Sequence, residues 1–163
     1  MKPKIVTKES FKVIGMERKF TLNNNTIPQL WDDFMPRFHE IKNKVNPDVA
    51  YGICESGDVD VTIENMSKDT EFNEVVCFEV SNFDDVPDGM VTRTIPAHKY
   101  AMFTHKGELS NLSHTYDYIF GEWLTKSGYD IADNFDFELY DERFNLKDQK
   151  NSEIDVYLPI KEK

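Results

Sequence analysis

One carboxylate set among rings is the most suggestive chemistry in this 163-residue chain: Phe137-Glu-Leu-Tyr140 places Glu138 between apolar and aromatic neighbours. Strand alternation would turn Glu138 and Tyr140 to one side and Phe137 with Leu139 to the other. A carboxylate desolvated in this way is costly alone, and a cationic guest would serve as its counter-ion. Tyrosine or tryptophan faces nearby would add about 0.5–2 kcal/mol of cation–π attraction per contact. The same group, its pKa raised by apolar surroundings, could instead work as a general acid or base, the enzymatic alternative. The plain alternative is a glutamate facing water on an open sheet face.

Other chemistries find little support. His39, His98, His105 and His114 have no compact ligand spacing, so no metal site and no cofactor are expected. No serine lies in GxSxG, no glycine-rich phosphate loop occurs, and Cys54 and Cys77 read as reduced thiols within apolar runs. Thirty acidic against nineteen basic residues give a formal charge of −11, which opposes direct nucleic-acid binding and welcomes a cation. An acidic surface could also engage a basic protein, so a protein partner is a third class of function. The chain carries neither a membrane-length apolar segment nor a signal peptide, and a cytoplasmic location is expected.

The elements that must hold Glu138 are written twice. Strand-like, helix-like and strand-pair segments of the first half recur in order about 87 positions later, giving repeats of about 5–82 and 90–161 within one domain, 1–163. Ile27, Leu30, Trp31, Phe34, Phe38 and Ile41 form one helical stripe, with Thr26 and Gln29 patterned as a capping box and Pro36 as a kink or early break. Leu112, Tyr116, Ile119, Phe120 and Trp123 form a second. Trp31, Phe34 and Phe38 read as core, and Trp123 as either core or pocket lining. Segment 57–70 reads as a polar hairpin excursion carrying the alternation Val59, Val61, Ile63, and 82–89 as the joint between halves. The fold class is α+β: a duplicated β-α-β-β repeat with pseudo-twofold symmetry, an antiparallel sheet, and helices on one face. If the helices cover Phe137 and Leu139, Glu138 and Tyr140 face a groove between the halves. Tyr51, the counterpart of Glu138 at that offset, would line it too.

Three ordered segments carry a family likeness: Phe120-Gly-Glu-Trp-Leu-Thr-Lys-Ser-Gly-Tyr129, Asp136-Phe-Glu-Leu-Tyr-Asp-Glu-Arg-Phe144 and Glu153-Ile-Asp-Val-Tyr-Leu-Pro-Ile160. Together they resemble the gyrase-inhibitor-like, or bacterial effector-binding, domain of AraC- and MerR-type regulators. The resemblance spans nearly the whole chain. It implies the duplicated fold and a groove for amphipathic, cationic aromatic molecules, with an acidic residue and stacked rings. Glu138 matches the family's pocket glutamate, Tyr157 would be its aromatic neighbour, and Trp123 stands at the family's tryptophan position. No helix-turn-helix precedes the domain in this sequence, so control of transcription is expected to run through a partner, with sequestration of compounds as the other role; the resemblance also implies two alternatives, a glutamate-dependent hydrolase of small electrophilic compounds and an acidic protein-interaction or gyrase-modulating protein.

Overall fold

Local sequence decides where the first helix stops. In the structure, a computed structural model describing residues 2–57 and 67–163, α1 (Ile27–Phe34) gives way at Pro36 to a 3-10 turn, Met35–Glu40, because proline lacks the amide that the α ladder needs. The expected capping box does not form. The Thr26 hydroxyl donates to the Lys19 carbonyl (2.9 Å), and Asn25 instead accepts from the Ile27 amide (3.1 Å). Helix α2 (Leu112–Tyr118) runs into a π-helical turn, Ile119–Trp123, and a last turn, Leu124–Lys126.

Nine strands form one antiparallel sheet among the described residues: β1 (Lys4–Lys8), β2 (Phe11–Phe20), β3 (Ala50–Glu55), β4 (Phe72–Val80), β5 (Val91–Ile95), β6 (His98–Lys106), β7 (Tyr129–Ile131), β8 (Phe135–Tyr140) and β9 (Glu153–Glu162). Their order is β1-β6-β9-β8-β3-β4-β2-β5, with β7 also on β9. Mapping β1, β2, β3 and β4 onto β5, β6, β8 and β9 turns this order into its own reverse. The opening strand of each half pairs with the other half, β1 on β6 and β5 on β2, and the halves meet where β3 pairs β8. The reading of 57–70 falls mostly on residues 58–66, outside the described part.

Both helices lie on one sheet face. Under α1, Leu30 and Phe34 pack on Ile14, Val76 and Phe78, and under α2, Ile119 and Trp123 pack with Phe103, Val156 and Leu158. These inward positions are in phase with Glu138, which pairs Gly52 and Val156. The helices therefore cover the Glu138 face, opposite to the expected arrangement. Phe137 is buried differently, by the curl of the sheet. Phe11 of β2 and Phe137 of β8 are three strand spacings apart, about 14 Å in a flat sheet, yet their ring centroids lie 5.7 Å apart. Tyr100 reaches Phe137 from the other side at 5.4 Å. No helix among the described residues is long and apolar enough to cross a membrane.

Candidate ligand-binding site

Strand alternation delivers Asp136, Glu138 and Tyr140 of β8 to the helix-bearing face, and Gly52 opposite Glu138 leaves the floor there without a side chain. A Cβ built on Gly52 would lie 2.9 Å from Glu74 Oε2 and 3.7 Å from Glu138 Oε1, so two carboxylates lean over one gap. From α2 the Tyr116 hydroxyl donates to Glu138 Oε2 (2.6 Å) and approaches Asp136 Oδ1 (3.3 Å). The Tyr140 hydroxyl donates to Glu138 Oε1 (2.5 Å). From α1, Trp31 sets its ring edge-on to Tyr140 at 5.3 Å. Phe120 stacks on Tyr116 at 6.2 Å and Phe144 meets Tyr140 at 5.2 Å, fixing both tyrosines from behind.

The cluster is acidic and half-open. Trp31, Tyr116, Asp136, Glu138 and Tyr140 are half-buried, whereas Glu74 is only 3 % exposed. Burial raises the pKa of Glu138, against the two tyrosine hydroxyls and His105, which hold it down. Burial first and Glu138 second push Asp136 up to about 7, with Tyr116 opposing. Glu74 rises well above the carboxylate range through burial and the charges of Glu138, Asp136 and Glu55, with no hydrogen-bond donor among the described residues offsetting them. Tyr116 and Tyr140 are raised by burial and by Glu138, so both remain hydroxyl donors. Among the described residues no lysine or arginine pairs with Glu74, Asp136 or Glu138, and no group of acids, histidines and cysteines there could hold a metal ion.

The remaining sequence candidates do not join this cluster. Tyr157 pairs Phe137 across β8 and β9 and stacks on it at 4.7 Å, so it lies on the reverse face and is not the aromatic neighbour of Glu138. Tyr51 pairs Leu139 and packs against Phe11 (5.3 Å) and Phe137 (5.7 Å), also on the reverse face. The register is one residue away from the 87-position offset, and one residue exchanges faces. Trp123 packs between Phe103 (5.1 Å) and Tyr129 (6.0 Å) under the second helix. Cys54 and Cys77 are both unpaired thiols. Sequence reasoning missed Trp31 and Tyr116, which sit on their expected helical stripes, and it missed Asp136 and Glu74. Asp136 stands two before Glu138 in one strand, and Glu74 is in phase with Val76 and Phe78; each was a readable signal of an acid turned inward. A separate cavity of about 380 Å³ opens at the ends of β3 and β5, among Glu55, Arg93, Pro96, Asp133 and Phe135. It contains none of the three clustered acids.

Comparison with known proteins agrees with this architecture. Residues 4–160 match the family described as Cass2, integron-associated effector binding protein. The transcriptional regulator BrlR of Pseudomonas aeruginosa is 39 % identical over 160 residues, covering 98 % of this chain and 56 % of that protein, so the chain spans little more than half the length of this relative. SAV2435 bound to tetraphenylphosphonium superposes with a TM-score of 0.75 at 13 % identity, over 99 % of this chain and 94 % of that one. The EcmrR C-terminal domain does so with a TM-score of 0.68 at 19 % identity, over the full length of both. The match over nearly every strand and both helices, together with the curated relative, places this chain in the integron-associated effector binding protein family.

Proposed function

We propose that this chain binds amphipathic aromatic cations at the seam between α1 and α2, with Glu138 as counter-charge and Trp31, Tyr116 and Tyr140 as the surrounding rings. The observation that carries the reading is the state of Glu138: its two oxygens are held by two tyrosine hydroxyls, and no lysine or arginine among the described residues neutralises it. A half-buried carboxylate so arranged is oriented but uncompensated, and a cation that brings its own apolar surface supplies the missing charge. A solved structure of the same fold was obtained with tetraphenylphosphonium bound, and a curated relative is a transcriptional regulator. The guest is accordingly an effector in our reading, sensed or sequestered by this domain.

Calorimetric titration with tetraphenylphosphonium tests it. A charge pair at ~5 Å in an effective dielectric of about 20 contributes about 3 kcal/mol, roughly a hundredfold in Kd. Glu138→Gln, which keeps an acceptor for one of the two hydroxyls and turns an amide N–H toward the other, is expected to weaken binding by about ten- to a hundredfold, or about 1.4–2.7 kcal/mol. Equal affinities for wild type and variant, or no binding by either, would reject the proposal.

A further inference from the structure

Glu138 is one of three acids on the same floor. Across β4, β3 and β8, Glu74, Cys54 and Asp136 form one row, and Val76, Gly52 and Glu138 form the next. Adjacent strands are ~4.8 Å apart and successive same-face residues ~7 Å, so the carboxylates of Glu74 and Asp136 stand beside that of Glu138, within the span of one drug-sized molecule. We propose that Glu74 and Asp136 are specificity-determining residues that make the seam prefer guests with two positive charges over guests with one. This inference rests on the seam being the binding site.

One positive charge is answered by Glu138 alone, which leaves two further acids crowded in a poorly solvated space. A second positive charge, a few ångströms along the guest, answers those. The neighbouring groups leave this role unfilled. From β3 come the thiol of Cys54 and Glu55; Arg93 and Glu17 face Glu55, and the Arg93 guanidinium is committed to both of those carboxylates. From α2 comes the Tyr116 hydroxyl, and from β8 that of Tyr140. His105 of β6 acts on Glu138 from a distance, its ring engaged by Thr115 Oγ1 (2.7 Å) and the Glu108 carbonyl (3.0 Å). Helix α1 turns an indole, Trp31, toward Tyr140. Facing one another without a basic partner among the described residues, the acids hold protons more tightly than free carboxyls do, burial first and mutual repulsion second raising both Glu74 and Asp136. A dication displaces those protons into the buffer, so its affinity rises with pH more steeply than that of a monocation.

Ethidium and propidium share one phenanthridinium ring, and propidium adds a quaternary ammonium, so they form a matched pair. Fluorescence titrations at pH 6, 7 and 8 would use nucleic-acid-free wild type, Glu74→Gln, Asp136→Asn and Glu138→Gln, with folding checked by circular dichroism. At pH 8 wild type is expected to bind propidium at least ~10-fold more tightly, with the ratio shrinking toward pH 6 by up to about tenfold per unit for each proton displaced. Asp136→Asn or Glu74→Gln should bring the ratio to within about threefold of unity by weakening propidium more than ethidium. Calorimetry of wild type in phosphate and in Tris, whose ionisation heats differ, should show about one proton released per propidium beyond any released by ethidium. Ethidium binding that depends on Glu138, with no propidium preference and no extra proton, would overturn the inference and leave the seam reading intact. A propidium preference that survives both substitutions in folded protein would overturn it equally. Binding of neither dye would overturn both.

Discussion

Removing the charge of Asp136 should stabilise the protein at alkaline pH and not at acid pH. Its carboxyl is raised from an ordinary 3.8 to about 7 by burial and by Glu138. Between those values the folded chain holds a proton that the unfolded chain has lost, so stability falls as pH rises through the window. Below about 4 both states are protonated and the penalty vanishes; above about 7 it is complete. At about 1.4 kcal/mol per decade the ceiling is about 4 kcal/mol, and because Asp136 keeps solvent contact we halve it to about 2 kcal/mol. For a domain of this size that is about 4–8 °C in Tm. Asn at 136 removes the titration while keeping an oxygen for Tyr116. Scanning calorimetry at pH 5 and pH 8 should find Asp136→Asn about 2–3 °C above wild type at pH 5, where about two-fifths of the window has been crossed, and about 4–8 °C higher at pH 8. The variant comparison cancels the general repulsion of a chain with net charge −11. A variant less stable than wild type by the same amount at both pH values would show that Asp136 is an ordinary structural acceptor and would refute the reasoning.

Tyr116→Phe takes a donor from both Glu138 and Asp136; urea unfolding should show a loss of about 1–2 kcal/mol, and the cation affinity at pH 6–7 should drop several-fold in the same calorimetric titration. Gly15→Ala would push a Cβ to 1.8 Å from the Val76 carbonyl oxygen and 2.6 Å from the Cys77 Cα, both backbone atoms. It should cost about 3 kcal/mol or more, read as a lower urea midpoint or a loss of soluble expression. Arg143 bridges Asp141 and Asp155, the latter only 6 % exposed. Arg143→Ala leaves Asp155 with the Thr104 hydroxyl (2.8 Å) and should cost about 3 kcal/mol by chemical denaturation, while Arg143→Lys restores part of it because an ammonium cannot reproduce the fork.

Much of this was legible because side-chain period is local. The stripe from Ile27 to Ile41 placed α1, Pro36 ended it, and the alternation around Glu138 put that acid and Tyr140 on one face. Which face the helices would cover was not legible. Phe137 and Leu139 looked like the helix-covered side, but in β4 the run Val75-Val-Cys-Phe78 is buried on both faces, so apolarity could not distinguish a helix above from a curl below. Tyr157 and Tyr51 lie on the face opposite to Glu138 for a related reason. Their side depends on cross-strand register, which hydrogen bonding between distant segments fixes and local pattern does not. Trp31 was readable as an aromatic on a core stripe, yet its position at the stripe's edge is what brings it to Tyr140.

The swapped opening strands have a consequence for what the domain can recognise. With β1 lent to β6 and β5 lent to β2, neither half could be cut away without stripping a border from the other, so the two are committed to one another for good. A partnership of that permanence allows its members to diverge. Two identical strands at the central seam would offer every feature in duplicate; here one side contributes a bare glycine at position 52 and the other a glutamate at 138. The proposed receptor is thereby freed from the symmetry of its own scaffold, and a lopsided guest, one molecule per chain, suits it.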